Sequence, residues 1–304
     1  MEPSVGVSTP WDLWDLPHDE QRARLAQIAD LGIDHLFTAD HVSFIDGSGM
    51  DGLVMLAAMS GLEPRLDLHV GVFLLALRHP MVAARQIASL AQAAPGRLTV
   101  GVGVGGEDRH EIEVCGVDPA SRGRRTDSCL DVVRRVLDGE TVSVDDDFLT
   151  LTDALIKPAP RPRVPFLVGG RSDAAVERAG RLGDGWLAAW CSSRRFAEGV
   201  QRAEHLGADR DVMWNHGLQV WVGVGGDVAD ARQHVAAGME NFYKLPFAAF
   251  EKYTPMGSAE QIADFLAPYV LAGARTLNLT PCGADRHVEL ETIAEVKRLL
   301  SSVE

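Results

Sequence analysis

Three short segments of this chain carry residue types and spacings that could do chemistry. Thr38-Ala39-Asp40-His41-Val42 sets an acid beside a histidine, the side chain whose unperturbed pKa lies nearest neutrality and which therefore serves as proton donor or acceptor. Adjacent residues on an extended strand face opposite ways, so Asp40 and His41 can share one pocket only if the second lies beyond the strand end. A histidine simply hydrogen-bonded in a loop fits the local sequence equally well. Val168-Gly169-Gly170-Arg171-Ser172-Asp173 ends an apolar run in two glycines where a helix begins. That pattern suits an anion: glycine amides and first-turn N–H groups point outward, Ser172 can cap, and Arg171 adds charge. Asp173 suits the helix dipole but would repel a phosphate if turned inward. A structural turn is the competing reading. The third segment, Gly101-Val102-Gly103-Val104-Gly105-Gly106, is a formal G-x-G-x-x-G before the helix-like Glu107-Asp108-Arg109-His110-Glu111. A Rossmann site would place it in the first βαβ unit, whereas here it follows the fourth strand. Glycines at Gly105 and Gly106 would let a ligand approach the end of a strand, and a plain tight turn is the alternative. Trp11, Trp14, Trp186 and Trp190 fall near strand ends, where aromatics either line an apolar pocket or plug a barrel.

The elements that must position these groups repeat a simple grammar. Apolar, β-branched runs alternate with helical patterns: Ser4 to Ser8, His35 to Ala39, Leu68 to Leu77, Arg97 to Val104, Val164 to Val168, Gly185 to Trp190, Leu218 to Val224 and Arg275 to Thr280 read as strands. Eight strands separated by helices predict a (β/α)8 TIM barrel, whose active sites lie at the C-terminal ends of the strands, where all three segments fall. Helices are expected at Asp19 to Leu31, Asp173 to Leu182 and after the Ser258/Gln261 capping box, the last carrying Pro268 as a source of kinking and ending at Gly273. Residues 1–304 read as a single domain, with a small hairpin at about 140–152 turned by Asp145-Asp146-Asp147 and an insertion after strand seven at about 241–257. The Pro-rich run from Lys157 to Pro165 leads straight into a strand and reads as a stiff connector.

Composition limits the partners. Twenty-nine Lys+Arg against 43 Asp+Glu give a net charge of −14, with no basic block, so nucleic acid and an anionic membrane surface are not expected partners. No apolar run approaches the ~20 residues that span a bilayer. Met1 to Asp15 lacks a basic region before an apolar stretch, so no signal peptide is expected and the cytoplasm is the expected compartment. Cys115, Cys129, Cys191 and Cys282 are scattered without a C-x-x-C pair, so no metal site is expected.

Taken in order, Asp40-His41, Arg78-His79-Pro80, the Gly-rich end of strand four, Arg122-Gly123-Arg124-Arg125, Val168-Gly169-Gly170-Arg171-Ser172 and Gly183-Asp184-Gly185-Trp186 resemble the bacterial luciferase-like monooxygenase superfamily. Within it the chain is most similar to the branch that uses the deazaflavin coenzyme F420. The likeness covers about residues 4–190 and 257–282, and the stretch from Cys191 to Pro255 adds little. The resemblance implies an oxidoreductase with the cofactor across the strand ends, its phosphate at Val168, Gly169, Gly170, Arg171 and Ser172. It implies His41 as the proton-transfer residue with Asp40 beside it, and a non-proline cis peptide at Gly71–Val72 against the ring. Related deazaflavin sugar-phosphate dehydrogenases carry a catalytic carboxylate about where Gly106 falls, and the nearest acid here is Glu107. Trp11, Trp14, Glu107 and Trp190 are the candidate substrate-pocket residues. The expected reaction is hydride transfer between F420 and a small organic molecule. Reduced FMN with O2 is the alternative, and a phosphate-binding barrel lyase or isomerase without redox cofactor is an alternative of another class. A homodimer, and a separate reductase to regenerate the cofactor, are further family expectations.

Overall fold

The computed structural model describes residues 2–106 and 108–303. Its strands are β1 (Ser4–Ser8), β2 (His35–Thr38), β3 (Asp67–Phe73), β4 (Leu98–Val102), β5 (Val142–Asp145), β6 (Thr150–Ala154), β7 (Phe166–Gly169), β8 (Gly185–Ala188), β9 (His216–Val224), β10 (Met256–Gly257) and β11 (Ala274–Cys282). The helices are α1 (His18–Asp30), α2 (Gly52–Leu62), α3 (Pro80–Ala93), α4 (Arg109–Val114), α5 (Arg122–Asp138), α6 (Asp173–Leu182), α7 (Ser193–Leu206), α8 (Val228–Tyr243), α9 (Ala259–Leu271) and α10 (Arg286–Leu300).

Eight strands pair in parallel around a closed ring, β1-β2-β3-β4-β7-β8-β9-β11 and back to β1, where Val5 meets Leu277. This is the expected TIM barrel. The strands are largely apolar because helices cover them outside and side chains fill them inside, and Val5, Val7, Leu36, Leu68, Val100, Leu277 and Leu279 are all buried. The hairpin forms as an antiparallel pair of β5 and β6 beside the ring. After β9, α8 leads into two 3-10 turns and β10, which pairs with the end of β9 outside the ring. The Ser258/Gln261 capping box starts α9, and the helix runs unbroken to Leu271 with Pro268 inside it.

One strand differs from the sequence expectation. The apolar run from Leu68 to Leu77 does not continue as a strand: β3 stops at Phe73, and Leu75–Leu77 form a buried 3-10 turn. Apolarity reports burial, and a covered strand and a covered turn are equally apolar. The pairing of β3 with β4 shifts between Val70 and Phe73, which makes a bulge of Gly71 and Val72.

The barrel interior also holds polar side chains. His35 Nε2 donates to Asn278 Oδ1 at 2.8 Å, its Nδ1 accepts from Ser4 Oγ at 3.0 Å, and its ring stacks on His69 at 3.8 Å. Burial pushes the His35 imidazole down to about 4, so it is neutral at physiological pH. Asn278 Nδ2 donates to Gln219 Oε1, and Gln219 Nε2 donates to the carbonyl of Gly71 at 2.9 Å. A chain of polar contacts thus runs from the base of the barrel to the bulge of β3.

Candidate active site

β2 delivers Asp40 and His41 into opposite surroundings. Asp40 is 1% exposed, and its oxygens accept the amides of Gly52 and Leu74 at 2.9 Å and both terminal nitrogens of Arg78 at 2.7 Å. Burial pushes the Asp40 carboxyl up from its ordinary value, and the Arg78 guanidinium and the two amides oppose that by binding the charged form. Arg78 also reaches Asp51, which caps α2. The carboxylate is fully engaged beneath the surface, where it ties β2, β3 and α2 together.

His41 stands at the mouth. Its Nδ1 meets the Glu111 carboxylate at 3.1 and 3.3 Å, and the amides of Val42 and Ser43 donate to the same carboxylate at 2.7 and 3.1 Å. Burial pushes the Glu111 carboxyl up, but His41 and these amides outweigh it and hold the group below its usual value. Glu111 reaches this place because the Gly-rich turn after β4 is followed by α4, capped by the Asp108 carboxylate on the His110 amide. Among the described residues, His41 Nε2 has no hydrogen-bond partner, and the side chain keeps 17% of its surface open. Glu107, the acid singled out from the sequence, lies outside the described residues. The acid on His41 is Glu111, one helical turn further on, within the helix-like segment that the sequence marked.

The floor of the mouth is the β3 bulge. The Gly71–Val72 bond is cis. A side chain at Gly71 would collide with Gln219. Val72 occupies the space where a Cβ on Gly103 or Gly169 would fall, at 2.3 and 2.6 Å, so these glycines, just past β4 and at the end of β7, make room for the valine. The result is an apolar floor across β3, β4 and β7. Gly105 and Gly106 take φ of +69° and +142°, which turn the chain toward α4. Arg122 donates to the Gly105 carbonyl and Arg125 to that of Ala76, so the basic first turn of α5 pins the loops of the mouth.

Beside the floor, β7 ends at Gly169, and Gly170, with φ of +125°, turns the chain into α6. Ser172 caps α6 by accepting the Ala175 amide. The Trp186 indole donates to the Gly170 carbonyl at 2.6 Å, which fixes the turn. Asp173 is directed to Arg195 at 2.5 Å and Arg202 at 3.5 Å, so its charge is neutralised on the outer side. Arg171 is exposed and makes no ion pair among the described residues. The orphan amides that open α6, with Arg171 alongside, could hold an anion. Gly183-Asp184-Gly185-Trp186 has a supporting role: Asp184 is buried against Arg134 at 2.8 Å through both oxygens and also accepts the Phe166 amide, while Trp186 is buried in the core.

The four tryptophans divide. Trp14 packs on the main core and Trp11 stands 68% exposed at the rim, 5.7 Å from Phe242. Trp190, with φ of +48°, packs on Tyr243 and Phe250. Phe44, Trp221, Phe242 and Tyr243 also belong to this wall, although the sequence offered no motif for them. For Phe242 and Tyr243 the available signal was an adjacent aromatic pair in the 191–255 stretch.

A family profile described as luciferase-like monooxygenase matches residues 4–274. An uncharacterized protein of Mycobacterium tuberculosis is 35% identical over 145 residues, 47% of this chain and 50% of that one. The F420-dependent glucose-6-phosphate dehydrogenase of Beutenbergia cavernae is 30% identical over 197 residues, 60% of this chain and 58% of that one. The chain thus spans about half the length of the curated relatives it matches. An F420-dependent secondary alcohol dehydrogenase in complex with an F420-acetone adduct superposes with a TM-score of 0.84 at 17% identity, covering 99% of both chains. The oxygenating constituent of 3,6-diketocamphane monooxygenase from Pseudomonas putida, in complex with FMN, gives 0.77 at 14% identity, covering 99% of this chain and 98% of that one. At these identities the structural likeness is one of fold.

Proposed function

Since the chain belongs to the luciferase-like monooxygenase family, we propose that it is an oxidoreductase that transfers a hydride between coenzyme F420 and a small organic substrate, with His41 moving the proton. The observation that carries this reading is the His41–Glu111 couple: Nδ1 is anchored on a buried carboxylate and Nε2 is left to the mouth. An ionised carboxylate only accepts, so Nδ1 carries the hydrogen and Nε2 presents a lone pair in the neutral ring. That ring takes the proton of a substrate hydroxyl during oxidation, and once protonated it returns the proton to oxygen during reduction.

The residues present fit a flat ring with a phosphate-bearing tail. The Val72 floor is apolar and unobstructed by side chains at Gly103 and Gly169. The Gly71 carbonyl is held by Gln219, and the anion place formed by Gly169, Gly170, Arg171 and Ser172 lies beside the floor. When bound, the deazaflavin supplies a two-electron hydride carrier at C5. Asp40 serves as a positioning residue: by holding the Leu74 amide and Arg78 it fixes the strand end from which His41 projects. Phe44, 4.2 Å from the His41 ring centre to centre, keeps water off one face of the imidazole.

Titration of the purified protein with F420 and with FMN, followed by cofactor absorbance, tests this. Saturable F420 binding, weakened by Arg171→Ala, is the expected result. Tight FMN binding without F420 binding would move the function to an FMN- and O2-dependent monooxygenase, and failure to bind either would leave a barrel lyase or isomerase without redox cofactor.

A further inference from the structure

The wall facing the floor is aromatic, and its centre is Phe242 at the end of α8. The Phe242 ring lies 5.4 Å from Phe44, 5.7 Å from Trp11, 5.8 Å from Trp221, 4.8 Å from Tyr243 and 6.5 Å from His41. The Trp221 indole donates to the Tyr243 hydroxyl at 3.2 Å, so that donor is engaged within the wall. Apart from Arg171, which stands at the α6 turn proposed for the cofactor's phosphate, the arginines that approach the mouth are engaged elsewhere. Arg78 is held by Asp40 and Asp51, Arg122 by the carbonyls of Gly105 and Pro119, and Arg125 by that of Ala76. Lys244, which follows the aromatic pair, turns to Asn241 at 3.3 Å. Glu111, the acid at the His41 ring, is already committed to that ring and to two amides.

From this we infer the substrate class: an uncharged compound with a flat ring and one reducible carbonyl, or the corresponding alcohol, stacked on Phe242 and Trp11 with its oxygen at His41 Nε2. The inference rests on the proton-transfer role of His41 proposed above. A phosphate or carboxylate on the substrate would lose its hydration against an aromatic wall, where Arg78, Arg122 and Arg125 are already spent on protein oxygens. A ring loses little there and gains apolar area and stacking. The chemistry balances as ketone plus hydride from the reduced deazaflavin at the carbonyl carbon, plus the proton from His41 Nε2 at oxygen. The C=O π bond is replaced by a C–H and an O–H bond, and the reverse releases the hydride and returns the proton.

Binding of acetophenone followed by intrinsic tryptophan fluorescence tests the pocket, with glucose 6-phosphate as the charged competitor. Acetophenone is expected to saturate the signal without competition from glucose 6-phosphate. Phe242→Ala should raise its Kd about tenfold, the loss of one aromatic contact with its buried area. Phe242→Leu, which keeps the apolar bulk, should show a smaller rise. Trp11→Ala, at an exposed position that folding does not depend on, should raise it about threefold. Absence of saturable acetophenone binding, a Kd unchanged in both Phe242→Ala and Trp11→Ala, or displacement by glucose 6-phosphate overturns the inference. F420 binding to the same samples is read separately at the cofactor absorbance, so a protein that takes acetophenone but not F420 keeps this pocket and loses the hydride-transfer reading.

Discussion

Asp40 and His41 are consecutive residues with opposite fates. Each meets a partner of complementary chemistry: Asp40 meets Arg78 through two 2.7 Å bonds and His41 meets Glu111 at 3.1 Å. The first pair is closed, because both carboxylate oxygens and both terminal nitrogens of Arg78 are engaged and the carboxylate is sealed from water. The second is open on one side, because the histidine has two ring nitrogens and only one is spent. A charge pair with nothing left over holds structure, and a pair with one free site can do proton chemistry. The alternation of side chains at a strand end separates the two within a single residue step.

The comparison breaks most sharply at His41. His41→Gln, which keeps size and hydrogen bonding but not proton transfer, should lower kcat by about 10²–10⁴-fold, with the melting temperature little changed. Retained turnover in a steady-state assay would remove His41 from the proposed role. The mirror experiment is Arg78→Met. It leaves Asp40 buried without its cation and should cost about 3–5 kcal/mol of stability in a urea titration. A loss below about 1 kcal/mol would mean that the pair is not the structural pin described here.

Glu111→Gln sharpens the contrast with a smaller effect, about tenfold in kcat, since the amide still accepts a bond from Nδ1 but no longer supports a charged ring. The sign of its pH dependence follows from the depressed carboxyl. Because the folded state favours the ionised form, the stabilisation is fully present above the ordinary value of 4.5 and is lost as the pH falls through the lower folded value. The stability gap between the native protein and Glu111→Gln, measured by denaturant titration, should therefore be constant near neutrality and close on acidification below that value.

Much of the barrel was legible because a strand covered on both faces must be apolar, and eight such runs separated by helical periodicity leave few other topologies. The turn at Gly169–Ser172 was legible for a different reason: its signal is local, a strand, two glycines, a cap and a helix within one short segment. The end of β3 was overextended because burial alone does not distinguish a strand from the 3-10 turn at Leu75–Leu77. Glu107, the acid nearest the position of the family carboxylate, lies outside the described residues, and that Glu111 would hold His41 had no signal in the sequence, since it depends on where α4 sets its side chains. The Phe44–Phe242 contact joins a loop to a helix end almost two hundred residues away and had no local signature.

By itself, the sequence determined the order of strands and helices, the glycines that turn the chain at the strand ends, and the caps that start α6 and α9, because these depend on neighbours within a few residues. Only the tertiary structure decided which of two adjacent residues faces the mouth, which acid holds the histidine, and that Gly103 and Gly169 exist to seat Val72. Each of those is a contact between strands or loops distant along the chain, set by the closure of the ring, and no spacing along the sequence encodes it.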